Sequence, residues 1–174
     1  MNAYLGPLER TDDGRWVIGD PGRQGGSYLE LGTEGVYLRE AGRDEERIAW
    51  SRFMGLSMTV TPRRWSSSRA AGVLNIVFGG SGGWYEVDTN GSCLQATLRH
   101  PYTPWVGRFS HHERRYSWSE ILLADALLGQ AVGVGAAQLL GDPDRLGQVV
   151  GLLALLKVRT HSAARAAVAK ALAP

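Results

Sequence analysis

Residues 28–60 constrain the fold of this chain more than any other stretch. Tyr28-Leu29-Glu30-Leu31 alternates in polarity, Val36-Tyr37-Leu38-Arg39 does the same, and Gly32-Thr33-Glu34-Gly35 lies between them. Side chains two apart share one face of a strand, so Leu29 and Leu31 are set against Tyr28 and Glu30, and the glycine-flanked turn closes a hairpin. Arg47-Ile48-Ala49-Trp50-Ser51 then predicts a third strand with Ile48 and Trp50 on one face, and Gly55 to Val60 continues the pattern. A two-residue period sustained in this way belongs to an antiparallel sheet with one covered face.

The rest of the N-terminal two thirds is punctuated in the same manner. Residues 1–14 show no sustained periodicity and are expected to be irregular, ending in the turn cluster Thr11-Asp12-Asp13-Gly14 before the apolar run Trp16-Val17-Ile18. Asp20-Pro21-Gly22 and Gly25-Gly26 mark a loop. Further strands are predicted at 73–78, 84–87, 94–98 and 105–109, with Asn90-Gly91 as a hairpin signal. Short strands joined by tight turns argue for an antiparallel barrel or sandwich and against a βαβ fold.

At Ser117 the pattern changes. Ser117-Trp118-Ser119-Glu120 is a capping box placed before an apolar run, which predicts a helix to about Leu140 with Gly141 as its left-handed terminus. Asp142-Pro143 supplies an N-cap and a first-turn proline for a second helix to about Val158, and Ser162–Leu172 predicts an Ala-rich third. Ile121, Leu122, Leu123, Leu127 and Val134, with Leu152, Leu153, Leu155 and Leu156, place apolar residues on more than one helical face. Such helices need two packing surfaces: the β-domain, and either a neighbouring helix or another subunit. The expectation is an α+β fold, a small antiparallel β-barrel or sandwich of about seven strands followed by a C-terminal helical layer. Its organisation is an irregular segment 1–14, a β-domain with its capping helix over 15–140, and a helical extension over 141–174.

A chain of 174 residues supports one well-buried core. The net charge is only +2, but residues 61–116 carry 7 Arg against 3 acids, so the middle third is locally basic. That falls short of the dense Lys/Arg footprint of a nucleic-acid-binding domain. A single cysteine, Cys93, excludes an intrachain disulfide and a multi-cysteine zinc site. Neither Ile121–Leu140, broken by Asp125, Gln130 and Gln138, nor Leu146–Leu156 suits a membrane span. No signal-peptide pattern is seen, and a cytoplasmic location is expected.

Strands of this kind followed by a capped helix resemble the bacterial pleckstrin-homology-like (PH-like) family. The residues that carry the resemblance are Leu29-x-Leu31-Gly-Thr33-Glu34-Gly35-Val36-Tyr37-Leu38 and Arg47-Ile48-Ala49-Trp50-Ser51, within about residues 27–128. The resemblance implies a partly open β-barrel closed at one end by a helix, serving as a non-enzymatic scaffold for protein or ligand contacts. The basic first hairpin of phosphoinositide binders is missing, because Arg39 and Arg43 are offset by Glu34, Glu40, Asp44 and Glu45. The helices after Gly141 lie outside the family pattern.

Several groups of residues invite a chemical reading. Gly79-Gly80-Ser81-Gly82-Gly83 has the spacing of a nucleophile elbow, but a strand-like segment follows where a helix is needed, so it reads as a hairpin loop. His111-His112-Glu113 is half of a zinc deaminase signature whose cysteine pair is missing downstream. Arg63, Arg64, Trp65 and Arg69 combine guanidinium groups with an indole. Together with His111, His112, Arg114 and Arg115 they are the candidate contacts for an anion or a partner. Trp50 and Trp118 read as core residues. Asp125, inside an apolar helix, calls for an arginine or a hydroxyl beside it.

The functional expectation is a non-enzymatic interaction or scaffold domain that binds a protein partner or itself as a homodimer. No catalytic residue, metal or cofactor is assigned, and neither nucleic-acid binding nor integral membrane insertion is expected. The alternatives are an enzyme acting on an anionic small molecule through His111, His112 and Glu113, and weak nucleic-acid binding by the Arg63–Arg69 loop.

Overall fold

The computed structural model describes residues 4–61 and 91–173. Among them, nine strands are followed by three α-helices. The strands are Tyr4–Leu5 (β1), Leu8–Arg10 (β2), Trp16–Ile18 (β3), Ser27–Gly32 (β4), Gly35–Glu40 (β5), Glu46–Ala49 (β6), Phe53–Thr59 (β7), Cys93–Leu98 (β8) and Thr103–Arg108 (β9). The first six form one antiparallel sheet in sequence order, and β7-β8-β9 form a second. No closed barrel is formed among the described residues. The strands expected over 73–78 and 84–87, and the Gly79–Gly83 loop, lie outside the described residues.

The hairpin follows its polarity pattern. Leu29 pairs with Leu38 and Leu31 with Val36, and all four are buried. Gly32 pairs with Gly35, which leaves Thr33 and Glu34 as a two-residue turn. A side chain at Gly35 would run into the Ile48 carbonyl, so the close approach of β6 requires glycine there. The third strand ends at Ala49, two residues before the expected Ser51: Trp50 opens a 3-10 turn, Trp50–Arg52. Its indole is nonetheless buried and donates from Nε1 to the Gly32 carbonyl at 2.8 Å, fastening the strand end to the hairpin turn.

The segment expected to be irregular is instead part of the sheet. Leu5 pairs with Leu8 across the Gly6-Pro7 turn, and both are fully buried. These strands are only two and three residues long, too short for a period to register in the sequence.

The helices are Trp118–Gly133 (α1), Pro143–Leu153 (α2) and His161–Leu172 (α3). The capping box at Ser117 forms as expected: Glu120 N–H donates to Ser117 Oγ at 3.3 Å, and Ser117 N–H to Glu120 Oε2 at 2.8 Å. The helix stops seven residues short of Leu140, however. Gly135 takes φ +74, its N–H meets the Val132 carbonyl, and Ala136 N–H meets the Ala131 carbonyl. That is a Schellman closure, with Gly135 in the role expected of Gly141. Gly141 instead ends a second 3-10 turn, Ala137–Gly141, and packs tightly against Gly32 and the Trp50 indole.

The α2 helix also ends early. Beyond Leu153 the chain turns so that Ser119 Oγ donates to the Leu156 carbonyl at 3.3 Å and accepts from Val158 N–H at 2.9 Å. This binds the α2–α3 link to the first turn of α1. Thr160 caps α3.

Buried side chains from both sheets and all three helices form a single core. Leu122, Leu123, Leu127 and Leu128 are all inside, because α1 packs on β7 and on α3. Gly129 faces the Leu56 carbonyl, so its missing side chain lets α1 approach the sheet within the chain. Trp118, expected in the core, is 45 % exposed, and Val134 is 69 % exposed. Trp118 occupies the first helical position, ahead of the inward stripe, and meets His161 edge-on at 6.3 Å. Among the described residues, no helix is long and apolar enough to cross a membrane.

Candidate functional site

The residues between β9 and α1 cross the end of the sheet and draw charged groups from distant parts of the chain around Tyr116. His112 is 7 % exposed, and its Nε2 lies 3.0 Å from Glu9 Oε1, at ion-pair distance but not aligned as a hydrogen bond. The Tyr116 hydroxyl accepts the His112 backbone N–H at 2.9 Å and lies 2.7 Å from its Nδ1. Tyr116 then has a proton to give to Nδ1, which places the neutral ring's own proton on Nε2, toward Glu9. Arg114 donates to Glu9 Oε2 at 2.6 Å and to the Gly6 carbonyl at 2.9 Å. Its guanidinium sits over the Tyr4 ring at 4.6 Å and the Tyr116 ring at 5.6 Å.

Burial sets the electrostatics here. Desolvation, with the Arg114 charge added, lowers the His112 pKa below the ordinary 6.5, against the opposing pull of Glu9. Burial likewise raises the Tyr116 pKa above its ordinary 10.0. Both groups are therefore held neutral, beside one Glu9–Arg114 ion pair. The arrangement suits a structural clamp, because the carboxylate that could accept a substrate proton is already held by the guanidinium.

His111 turns elsewhere. Its ring stacks on Tyr116 at 5.6 Å, and its Nε2 makes a short hydrogen bond with Ser92 Oγ, which also accepts Thr61 N–H at 2.9 Å. Glu113 is exposed. The three members of the acid/base alternative thus have different surroundings: His111 meets Ser92, His112 meets Glu9 and Glu113 faces solvent. Among the described residues, no group of His, Cys, Asp and Glu could hold a metal ion.

Of the predicted contacts, His111, His112 and Arg114 converge on Tyr116, while Arg115 is exposed. Arg63, Arg64, Trp65 and Arg69 lie outside the described residues. Arg114, expected to meet an anion or partner, is committed to Glu9 and the Gly6 carbonyl. Glu9, Tyr4 and Tyr116 were not singled out by sequence. The pattern Leu5-Gly6-Pro7-Leu8 was the available sign that the N-terminal segment folds back into the sheet.

Asp125 finds neither an arginine nor a hydroxyl as its hydrogen-bond partner. Its Oδ1 accepts the Met58 backbone N–H at 2.8 Å, so the carboxylate of α1 satisfies an amide of β7, which is an edge strand among the described residues. Burial raises its pKa, opposed by the Met58 bond and by the charges of His161 and Arg165.

Of the large apolar side chains exposed among the described residues, half lie at the start of α1 and the end of α2, the others being Tyr4, Met54, Tyr102 and Val134. Trp118 is 45 %, Leu152 59 %, Leu155 81 % and Leu156 41 % exposed. The Ser119–Leu156 hydrogen bond brings the two segments side by side. Lys157 and Arg159 follow directly and are exposed. Comparison of the chain with protein-family models, with curated proteins and with solved structures finds no match.

Proposed function

We propose that this chain is a non-enzymatic interaction domain that pairs with a second copy through the apolar end of its helical layer. The observation that carries the reading is the exposure of Trp118, Leu152, Leu155 and Leu156 on segments joined through Ser119. At those exposures the four side chains leave roughly 500 Å² open, the scale of the largest and often functional patch on a monomer. Face to face in a two-fold pair they bury about 1,000 Å², where specific interfaces begin. The surplus on α1 does not contribute, because Leu122, Leu123 and Leu127 are covered within the chain.

The scaffold reading is of the PH-like kind: antiparallel strands, then one capped helix laid along β7, as in a partly open barrel closed by a helix. The buried groups beside Tyr116 support it too, since Glu9, His112 and Arg114 pair with one another. The test uses a spin label at Leu155→Cys, with buried Cys93 left unlabelled. A discrete intermolecular distance from Leu155→Cys, and none from a label at the exposed β5–β6 turn residue Gly42, supports the interface. Equal, featureless decays at both positions would overturn it.

A further inference from the structure

A cleft of about 400 Å³ opens where the β3–β4 loop meets the starts of β8 and of the β9–α1 link. Its polar side chains are Arg23, Gln24, Thr61, Ser92, Ser110 and His111, and among the described residues no carboxylate lines it. All but His111, whose Nε2 is taken up by Ser92 Oγ, carry a proton to donate. The nearest loop acid, Asp20, is occupied by its own turn, its Oδ1 accepting Gly22 N–H at 2.9 Å.

The walls are fixed to one another. Asp20 N–H donates to the Ser110 carbonyl at 2.9 Å, Ser110 N–H to the Ser27 carbonyl at 2.7 Å, and Phe109 N–H to the Ser92 carbonyl at 3.1 Å. Ser92 Oγ holds Thr61 N–H and His111 together. Gly26 has no room for a side chain, since a Cβ would press on Ser110 Oγ, whereas Gly25 at φ +66 faces open space and bares its backbone. A cleft of this size is ample for a small ligand.

Arg23 sets the charge. Arg10, Arg15, Arg39, Arg43, Arg47 and Arg114 each hold a carboxylate. Arg23 holds none among the described residues: its Nη1 donates only to the His111 carbonyl, at 3.3 Å, at the rim of the cleft. Arg108 does not line the cleft, but its Nη1 stands 3.8 Å from where a Gly91 side chain would begin.

From this we infer a ligand site: the cleft binds a phosphate-type oxyanion, with Arg23 as the charge partner and the Ser92 and Ser110 hydroxyls framing the oxygens. A planar guanidinium beside hydroxyl donors, without a competing carboxylate, matches the tetrahedral dianion of a phosphomonoester. The same chemistry is offered by a soluble phosphate ester and by the headgroup of phosphatidic acid.

The test follows the amide resonances of Gly25, Gly26, Gly91 and Ser92 in the full chain during titration with pyrophosphate. In parallel, the chain is sedimented with phosphatidylcholine vesicles containing phosphatidic acid, or phosphatidylserine at equal charge. Arg23→Glu alters an exposed side chain and leaves the core untouched, and Arg145→Glu on α2 is the control for net charge. The expected result is saturable shifts confined to the cleft, weakened about tenfold or more by Arg23→Glu and little by Arg145→Glu. Pyrophosphate binding identifies a soluble ligand. Binding only to phosphatidic acid, and sensitive to Arg23→Glu, identifies a lipid headgroup. No response in either arm at about 10 mM, where a 1 mM site is nearly filled, overturns the inference. Equal weakening by the two variants overturns it as well.

Discussion

Asp125 offers the sharpest test of how the helical layer is fastened to the sheet. Its carboxylate accepts the N–H of buried Met58, so Asp125→Ala leaves that amide without its acceptor, at about 1–3 kcal/mol. Asp125→Asn keeps an oxygen in the same place and removes the burden of holding a buried charge. At pH 7 the Asn variant is therefore expected to match or exceed the parent, with the Ala variant about 2 kcal/mol below the Asn variant. In urea, at about 2 kcal/mol per molar, that gap moves the midpoint by roughly 1 M, which tryptophan fluorescence resolves. The pH dependence has a definite sign. The folded pKa of Asp125 is raised, so the folded state binds the proton more tightly than the unfolded one. The associated stability is complete below the unfolded value near 3.8 and is lost as pH rises through the folded value. The parent should thus gain on Asp125→Asn as pH falls from 7 toward 4. His161 and Arg165 pull the Asp125 pKa down in the parent, against the larger effect of burial, and Asp125→Asn removes that pull together with the charge. Equal midpoints for the Ala and Asn variants, or a parent–Asn difference that ignores pH, would refute the reasoning.

Two further outcomes concern the clamps. Trp50→Ala should cost about 3–5 kcal/mol by denaturant unfolding, and Trp50→Phe about 1–3 kcal/mol, since Phe keeps a ring but loses the indole hydrogen bond to the Gly32 carbonyl. A Trp50→Ala loss below about 1 kcal/mol would mean that the indole does not secure the hairpin turn. At the Tyr116 site, the His112 pKa is depressed by burial, so the stability it contributes is present above 6.5 and is lost as pH falls through the lower folded value. Unfolding midpoints between pH 7 and 5 should fall more steeply for the parent than for His112→Gln. Parallel slopes would remove His112 from the account.

How much of this was legible in the sequence depended on the length of each element. The β4–β5 hairpin is six residues on each side and fixed its own register, because Leu29, Leu31, Val36 and Leu38 all face one way. The capping box at Ser117 was equally plain, since its two reciprocal hydrogen bonds are local. The end of α1 was not. Gly133, Gly135 and Gly141 were all eligible stops, and the choice of Gly135 goes with Gly141 being needed against Gly32 and Trp50, both far away in sequence. The Tyr116 site was half legible: His111, His112 and Arg114 stood out as a cluster, but their partners Glu9 and Ser92 come from distant strands. The clefts and clamps of this protein are made by tertiary pairing, whose signal is spread too thinly along the chain for spacing to reveal.

The central claim is that the apolar end of the helical layer is an interface between two copies. Light scattering on the full chain at about 100 μM, far above the roughly 1 μM dissociation constant of a modest interface, tests it most directly. The account predicts twice the 18.9 kDa mass of one chain for the parent. For Leu152→Glu/Leu155→Glu, which changes only exposed side chains, it predicts the single-chain mass with an unchanged unfolding midpoint. A parent that stays at the mass of one chain at that concentration, or a double variant that still pairs, would contradict it.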